Sequence, residues 1–132
     1  MLKTNKIIYP ELSYKLVGIA FEVFNKIGFG QQEKIYQKAF YIKLIKNKIR
    51  FQENLYNSIK IDEEKIGKYF LDFLIEKKII IELKVGNKIY KRDYLQVRSY
   101  LKENNLELGI IILFSSYGIK YKRILNKSIR IN

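Results

Sequence analysis

The sequence predicts an α/β fold (mixed α+β) in which helices flank one mixed sheet, and three observations predict it. Two helix-like segments come first, three strand-like segments follow, and a third helix-like segment precedes the last two strand-like segments. A helix between two strands is typical of the crossover that makes them parallel. With 132 residues, 48% of them hydrophobic, the chain can bury one core, so we expect a single domain over residues 1–132.

The first helix is predicted from Glu11 to Ile27, because apolar residues recur on one face and Gly28 can end it. Glu22 falls on the opposite face, where we expect a surface ion pair. A second helix is predicted from Gln32 to Asn47, and a third runs to about Asn104 with Asp93 as its cap.

The strands are predicted from their apolar, β-branched and aromatic residues and from the turns between them. The acidic turn Asp62-Glu63-Glu64 separates the first two, and a turn around Glu76-Lys77-Lys78 separates the second from the third, so these three should be antiparallel. The five predicted strands are Ile49 to Ile61, Lys65 to Glu76, Ile79 to Val85, Leu108 to Phe114 and Ile119 to Leu125.

Two opposite charges interrupt the apolar third strand. Glu82 and Lys84 are two residues apart and project from one face, and the preceding hairpin can bring Asp72 beside them. Buried charges are costly unless they pair with each other or with a metal ion, so this trio indicates a divalent-cation site. A cross-strand ion pair on a solvated sheet face explains the three residues equally well.

Missing residue types narrow the chemistry. The chain contains no cysteine and no histidine, which excludes disulfides, thiolate zinc sites and the usual general base. A metal must therefore bind to oxygen ligands, which points to Mg²⁺ or Mn²⁺.

A formal net charge of +13 favours a polyanionic partner, because lysines and arginines neutralise phosphates. Basic residues cluster at Lys43 to Arg50, Lys88 to Arg92 and Lys120 to Arg130. Lysines spread over solvated faces are the alternative, since the bias toward Lys, Ile, Asn and Tyr can arise from nucleotide composition alone. Nucleic acid is favoured over a neutral small molecule, and an acidic membrane surface stays open.

A cytoplasmic location is expected from the absence of a signal peptide and of a membrane helix. Residues Met1 to Leu12 lack a continuous apolar segment, and no apolar run approaches the roughly 20 residues that span a bilayer.

Glu33 lies in the first turn of the second helix, where a negative charge favourably meets the helix dipole. Helical spacing also places Glu33 on the same face as Tyr36, Phe40 and Leu44, so we expect it to face inward. An inward carboxylate requires a cation.

These residues carry a family resemblance. Gly30-Gln31-Gln32-Glu33-Lys34-Ile35-Tyr36 matches G-x-x-E-x-x-Y, and residues from about Leu12 to Leu125 resemble the GxxExxY proteins of the PD-(D/E)xK nuclease superfamily. The resemblance implies a restriction-endonuclease-like core in the order helix-β-β-β-helix-β. It also implies a metal-dependent nuclease that hydrolyses phosphodiester bonds.

The resemblance assigns site residues in the order that the superfamily shows. Glu33, Asp72, Glu82 and Lys84 are the implied catalytic residues, and Glu33, Asp72, Glu82 and the Leu83 carbonyl are the implied ligands of Mg²⁺ or Mn²⁺. Lys84 would orient water and stabilise charge, and would take a proton if its surroundings lowered its pKa.

Further residues follow from the same resemblance. Gln96 and Tyr100 match the Q-x-x-x-Y signature of RecB-like nucleases. The resemblance implies that these two residues and Tyr36 position substrate or nearby water. The alternative for Gln96 and Tyr100 is an ordinary pair at the boundary of the helix's core-facing side. Lys88, Arg92 and Arg98 would follow the nucleic-acid backbone. DNA is favoured over RNA, and a homodimer stays open.

The chain departs from the family at three phenylalanines. Phe24, Phe29 and Phe70 stand where members often carry histidine, proline and arginine, which removes a potential ligand but leaves the carboxylates. Two other functions stay open: a non-catalytic nucleic-acid-binding module, and a structural or partner-binding protein in which Asp72, Glu82 and Lys84 form only an internal ion-pair cluster.

Overall fold

A computed structural model describes residues 8–127 and contains three helices and five strands in that range. No helix in this part of the chain is long and apolar enough to cross a membrane. In chain order the elements are α1 Pro10–Ile27, α2 Glu33–Lys46, β1 Phe51–Ile61, β2 Glu64–Ile75, β3 Ile79–Val85, α3 Lys91–Glu103, β4 Leu108–Ser115 and β5 Gly118–Leu125.

The strands form one mixed sheet in the order β1-β2-β3-β4-β5. The pairs β1/β2, β2/β3 and β4/β5 are antiparallel, and β3/β4 is parallel from Ile79↔Leu108 to Val85↔Phe114. Helix α3 makes the crossover between the two parallel strands, as the order of segments predicts. The α/β prediction is therefore confirmed.

Helices cover both faces of the sheet. On one face α1 and α2 pack with Ile79, Ile81 and Leu83, and on the other α3 packs with Ile80 and Ile111. Because both faces of the central strands are covered, β4 is buried at every position. This burial explains why β3 and β4 are nearly continuous apolar runs.

The start of α3 differs from the prediction. Helix α3 begins at Lys91, and Asp93 is its third residue instead of its cap. The Asp93 carboxylate reaches back and accepts a hydrogen bond from the Tyr90 backbone N–H at 3.0 Å. A carboxylate at this position can satisfy the free N–H before a helix, so Asp93 stabilises the helix start from inside.

The alternation of side chains between the two faces of the sheet is interrupted near the middle of β1 and β2. Phe73 and Ile75 pack with the α1/α2 core, whereas Leu71 packs with the α3 core, although regular alternation would keep all three on one side. Asn54 and Asp72 are left out of the pairing, between Glu53↔Phe73 and Leu55↔Leu71, and Asn54 has a left-handed backbone with φ of 55°. The change directs Asp72 and Phe73 to the α2 side together.

Close contact between α3 and the sheet depends on Gly109, and substituting it tests this packing. A Cβ at position 109 would lie 2.6 Å from Val97 Cγ1, so Gly109→Ala should lower the free energy of unfolding by about 1–3 kcal/mol. Denaturant unfolding measures the change.

The control is Gly18→Ala, because a Cβ at that helical position meets nothing within 4 Å. Gly18→Ala should raise stability by about 0.5–1 kcal/mol. Because the clash is with Val97 Cγ1, the double variant Gly109→Ala/Val97→Ala should recover part of the free energy of unfolding that Gly109→Ala loses. A fully stable Gly109→Ala protein would contradict the packing.

Candidate active site

Strands β2 and β3 separate at the two carboxylates. Their paired residues end at Phe73↔Ile81, and the hydrogen bonds beyond that point involve side chains. The Leu83 N–H donates to Asp72 Oδ2 at 2.7 Å, and the Asp72 N–H donates to Glu82 Oε1 at 2.9 Å. The two carboxylates thus replace the lost sheet bonds and are fixed beside each other.

Lys84 lies between two buried carboxylates. Its Nζ is 3.5 Å from Glu82 Oε2 and 3.5 Å from Asp93 Oδ1. The prediction that Glu82 and Lys84 share a face is confirmed by this contact. The sequence does not identify Asp93 as a residue of this site, because a role at the start of the helix is a sufficient explanation for it. The feature of the sequence that points to the site is the position of Asp93 soon after the third strand.

Gln37 is a second residue that the motifs do not reveal. Its Nε2 donates to Asp72 Oδ1 at 2.8 Å and is 3.5 Å from Glu33 Oε2. Gln37 lies one helical turn after Glu33, so both side chains lie on one face of α2. That spacing was the signal, but only the fold places Asp72 opposite this face.

Glu33 is half-buried at the first residue of α2. The pKa of Glu33 is raised, and burial is the largest cause. The Asp93 charge also raises this pKa, whereas the Lys84 charge and a hydrogen bond from the Val85 backbone lower it. These influences place the Glu33 carboxylate near the end of β3, close to Lys84. The inward orientation expected from the sequence agrees with this position.

Tyr36 is buried inside the fold, where a substrate at the site could not reach it. Its side chain is fully buried, its ring stacks on Phe114 with centroids 4.2 Å apart, and its hydroxyl donates to the Gly28 carbonyl. The prediction that Tyr36 positions substrate needs correction, because its hydroxyl fixes the loop between α1 and α2. Gly28 and Gly30 allow this loop, with φ of 71° and 111°.

Tyr100 also lies mainly in the core. It is 9% exposed and packs with Leu71 and Val97 under α3, so its placement fits the boundary-pair interpretation and not a contact with substrate. Gln96 is partly exposed, and its backbone carbonyl accepts a hydrogen bond from the Tyr69 hydroxyl at 3.1 Å.

The three predicted backbone-contacting residues are exposed, Lys88 and Arg92 at the start of α3 and Arg98 in its middle. Lys88 and Arg92 lie on either side of Tyr90, with Lys88 Nζ 5.0 Å above the Tyr90 ring, and Arg98 lies two helical turns further on. Their contact with nucleic acid stays a prediction. Elsewhere, Glu22 forms the expected surface ion pair, 3.1 Å from Lys43 Nζ.

The paired acids resist ionisation. Burial and then the neighbouring Asp72 charge raise the pKa of Glu82 to about 8. Burial, together with the Glu33 charge, raises the pKa of Asp72 to about 6 despite the Leu83 hydrogen bond. A nearby positive charge would therefore stabilise the ionised forms of these two adjacent carboxylates, of which Glu82 is buried and Asp72 partly buried.

Lys84 remains a cation. Burial lowers its pKa, but the charges of Glu82, Asp93 and Glu33 outweigh burial and raise its pKa above the ordinary value. The condition under which Lys84 would take a proton from water is therefore not met. Its environment suits it to stabilise negative charge.

The donor atoms suit a hard cation. Asp72 and Glu82 provide carboxylate oxygens, and their raised pKa values show that a nearby positive charge would stabilise them. Within residues 8–127, however, no group of three or more acidic side chains lies close enough to hold an ion. Asp72 and Glu82 thus offer a pair of carboxylates that a divalent cation could use, and Glu33 does not join them as a third close ligand.

The comparisons with known proteins agree with the fold. The model of the PD-(D/E)XK nuclease superfamily matches residues 10–124, so the chain belongs to this superfamily. A solved structure described as "Crystal structure of SSO0001" has a TM-score of 0.55 and 19% identity, over 89% of this chain and 57% of that chain. The chain therefore spans little more than half of that protein. A search of curated proteins found no match.

The raised pKa of Glu82 predicts a pH-dependent stability. Between its ordinary value of 4.5 and about 8, the folded protein binds more protons than the unfolded chain. The free energy of unfolding should therefore fall as pH rises through this range, and Glu82→Gln should reduce the fall. Thermal melting in EDTA at pH 5 and pH 8 measures both proteins.

We expect the wild-type Tm to drop by about 4 °C more than the Glu82→Gln Tm between these two pH values. Glu103→Gln, an exposed residue on α3, should behave like the wild type. Equal drops in wild type and Glu82→Gln would mean that Glu82 ionises normally.

Proposed function

We propose that the protein hydrolyses phosphodiester bonds in nucleic acid, with DNA as the preferred substrate and Mg²⁺ or Mn²⁺ as cofactor. The observation that carries the proposal is a pair of carboxylates beside the Lys84 amine, the buried Glu82 and the partly buried Asp72. The Asp72 N–H holds Glu82, and the Leu83 N–H holds Asp72. Membership of the nuclease superfamily supports the same chemistry.

Asp72, Glu82 and the Leu83 carbonyl would hold the ion. A bound divalent cation would act as a Lewis acid on a phosphate oxygen and favour hydroxide formation at neutral pH. Leu83 suits this set because its own N–H already bonds Asp72 Oδ2, which keeps its backbone next to both carboxylates. Gln37 holds the other Asp72 oxygen and so orients the carboxylate.

Lys84 would stabilise the negative charge that develops on the phosphate. Its amine is positioned by Glu82 and Asp93 and stays charged at neutral pH, so little reorganisation is needed during the reaction. Asp93 is a positioning residue in this scheme. Glu33 would act from its place near Lys84, through water or at a second cation.

Substrate would be held mainly through its phosphates. Lys88 and Arg92 are exposed at the start of α3 and Arg98 is exposed in its middle. Contacts of such residues with phosphates set the position of a nucleic acid without selecting its sequence.

A non-catalytic nucleic-acid-binding module is the second candidate, and one observation favours it. All four oxygens of Asp72 and Glu82 already have a donor or an amine nearby: Gln37, Leu83 N–H, Asp72 N–H and Lys84. A site satisfied by its own residues can be stable without an ion. Cleavage and ion binding distinguish the two candidates.

Cleavage is tested with plasmid DNA, single-stranded DNA and RNA in Mg²⁺, Mn²⁺ and EDTA. Asp72→Asn, Glu82→Gln and Lys84→Ala should each lower the cleavage rate by at least ~100-fold, because each removes charge from the reacting phosphate region. Lys15→Ala, which changes an exposed lysine of α1 outside the basic clusters, is the matched control and should retain activity. Cleavage that survives in all three site variants would come from a contaminating nuclease.

Ion binding is tested separately by thermal melting. An ion that binds only the folded protein stabilises it by roughly 2.7 kcal/mol at 100 times its Kd. Mg²⁺ or Mn²⁺ should therefore raise the Tm of the wild type, and Asp72→Asn and Glu82→Gln should lose most of this rise. Nucleic-acid binding with no Tm change and no cleavage would support the non-catalytic module.

A further inference from the structure

Strands β1 and β2 continue beyond the site as a two-stranded arm, residues 55–71. Strand β2 pairs with β3 only from Phe73 to Ile75, whereas β1 and β2 stay paired as far as Ile61↔Glu64. Because β2 and β3 are antiparallel, the arm extends past the carboxyl end of β3, next to the separated carboxylates. A molecule bound along the arm would therefore lead directly to Asp72.

The face of the arm that carries Asp72 also carries two exposed aromatic rings. Alternation along β2 places Phe70 on the same side as Asp72, and Tyr56 is its direct partner on β1. The rings lie 5.6 Å apart at 65°, and the two residues are 50% and 46% exposed. The exposed surface of these rings contributes nothing to the core.

A lysine amine accompanies each ring. Lys65 Nζ is 5.3 Å from the centroid of Tyr56, and Lys68 Nζ is 6.0 Å from that of Phe70. We call Tyr56, Lys65, Lys68 and Phe70 the aromatic strip. Rings that can stack on bases, next to amines that can neutralise phosphates, are the combination that single-stranded nucleic acids bind.

We infer that the aromatic strip binds an unpaired segment of the nucleic-acid strand that reaches Asp72. This inference rests on the proposed function and adds a substrate class to it. The charge of the strip is complementary to a polyanion, and the strip is continuous with the site. In a duplex the bases are stacked on each other, so exposed rings favour unpaired bases.

The tip of the arm limits the bound segment. Asp62, Glu63 and Glu64 are exposed at the turn and carry negative charges that repel phosphates. The strip therefore accommodates a short unpaired stretch between the site and the tip. A nucleic acid with a single-stranded end or gap next to a duplex matches this arrangement.

The test measures binding without cleavage. Fluorescence anisotropy in EDTA follows a short labelled single-stranded DNA of mixed sequence and the matching blunt duplex. Tyr56→Ala/Phe70→Ala should weaken single-strand binding about tenfold or more and change duplex binding less than about threefold. Lys65→Gln/Lys68→Gln should reduce the salt dependence of single-strand binding by a slope of about 1.4, or about 0.7 for each phosphate.

Tyr14→Ala/Phe21→Ala is the matched control, because it removes the same residue types from the exposed face of α1, at 84% and 42% exposure. It should bind both DNAs like the wild type, and the conservative Tyr56→Phe/Phe70→Tyr should retain single-strand binding.

Single-strand affinity within about twofold of wild type in Tyr56→Ala/Phe70→Ala would overturn the inference and leave the strip as a surface for a protein partner. An equal loss of duplex binding would overturn it too. Because no cleavage is needed, selective loss of single-strand binding supports the strip even if the nuclease proposal fails. A wild type that binds neither DNA would overturn the inference, whereas the nuclease proposal is decided by the cleavage assay in Mg²⁺ and Mn²⁺.

Discussion

The exchange of hydrogen bonds between Asp72 and the Glu82-Leu83 segment is the interaction on which the site depends. Where β2 leaves β3, two backbone N–H groups lose their partners in the sheet, and buried N–H groups without partners are costly. The two carboxylates accept these N–H groups at 2.7 and 2.9 Å. The geometry that brings the acids together is therefore also the geometry that ends the strand pairing, so the site is built into the sheet.

The same exchange explains the surrounding residues. Burial and then the repulsion of a neighbouring carboxylate, Asp72 for Glu82 and Glu33 for Asp72, raise the pKa values of the two acids. Lys84 offsets part of the repulsion, and Asp93 ties the Lys84 amine to the first turn of α3. Gln37 ties Asp72 to α2. Both helices that approach this end of the sheet thus contribute a side chain to one electrostatic cluster, and the packing of each helix affects the cluster geometry.

Much of this arrangement could be predicted from the sequence because the signals are local. The period of apolar residues and the turn residues locate the eight elements that lie within residues 8–127, with β3 matching Ile79 to Val85. The closeness of Glu82 and Lys84 follows from strand alternation. Asp93 and Gln37 could not be recognised as site residues, because their contacts cross between elements and depend on how α2 and α3 pack on the sheet. Tyr36 was assigned to the substrate by its motif, whereas its burial shows a structural contact.

The face change at Asn54 and Asp72 connects the site to the arm. Without it, alternation from Phe73 would direct Asp72 toward the α3 side and place Phe70 there as well. The left-handed backbone of Asn54 and the end of β3 pairing together direct Asp72 toward α2, where Gln37 holds it. The same shift presents Phe70 and Tyr56 to solvent on the side of the Asp72 carboxylate. One local irregularity in a strand pair therefore sets both the orientation of a proposed metal ligand and the surface along which a substrate strand would approach it.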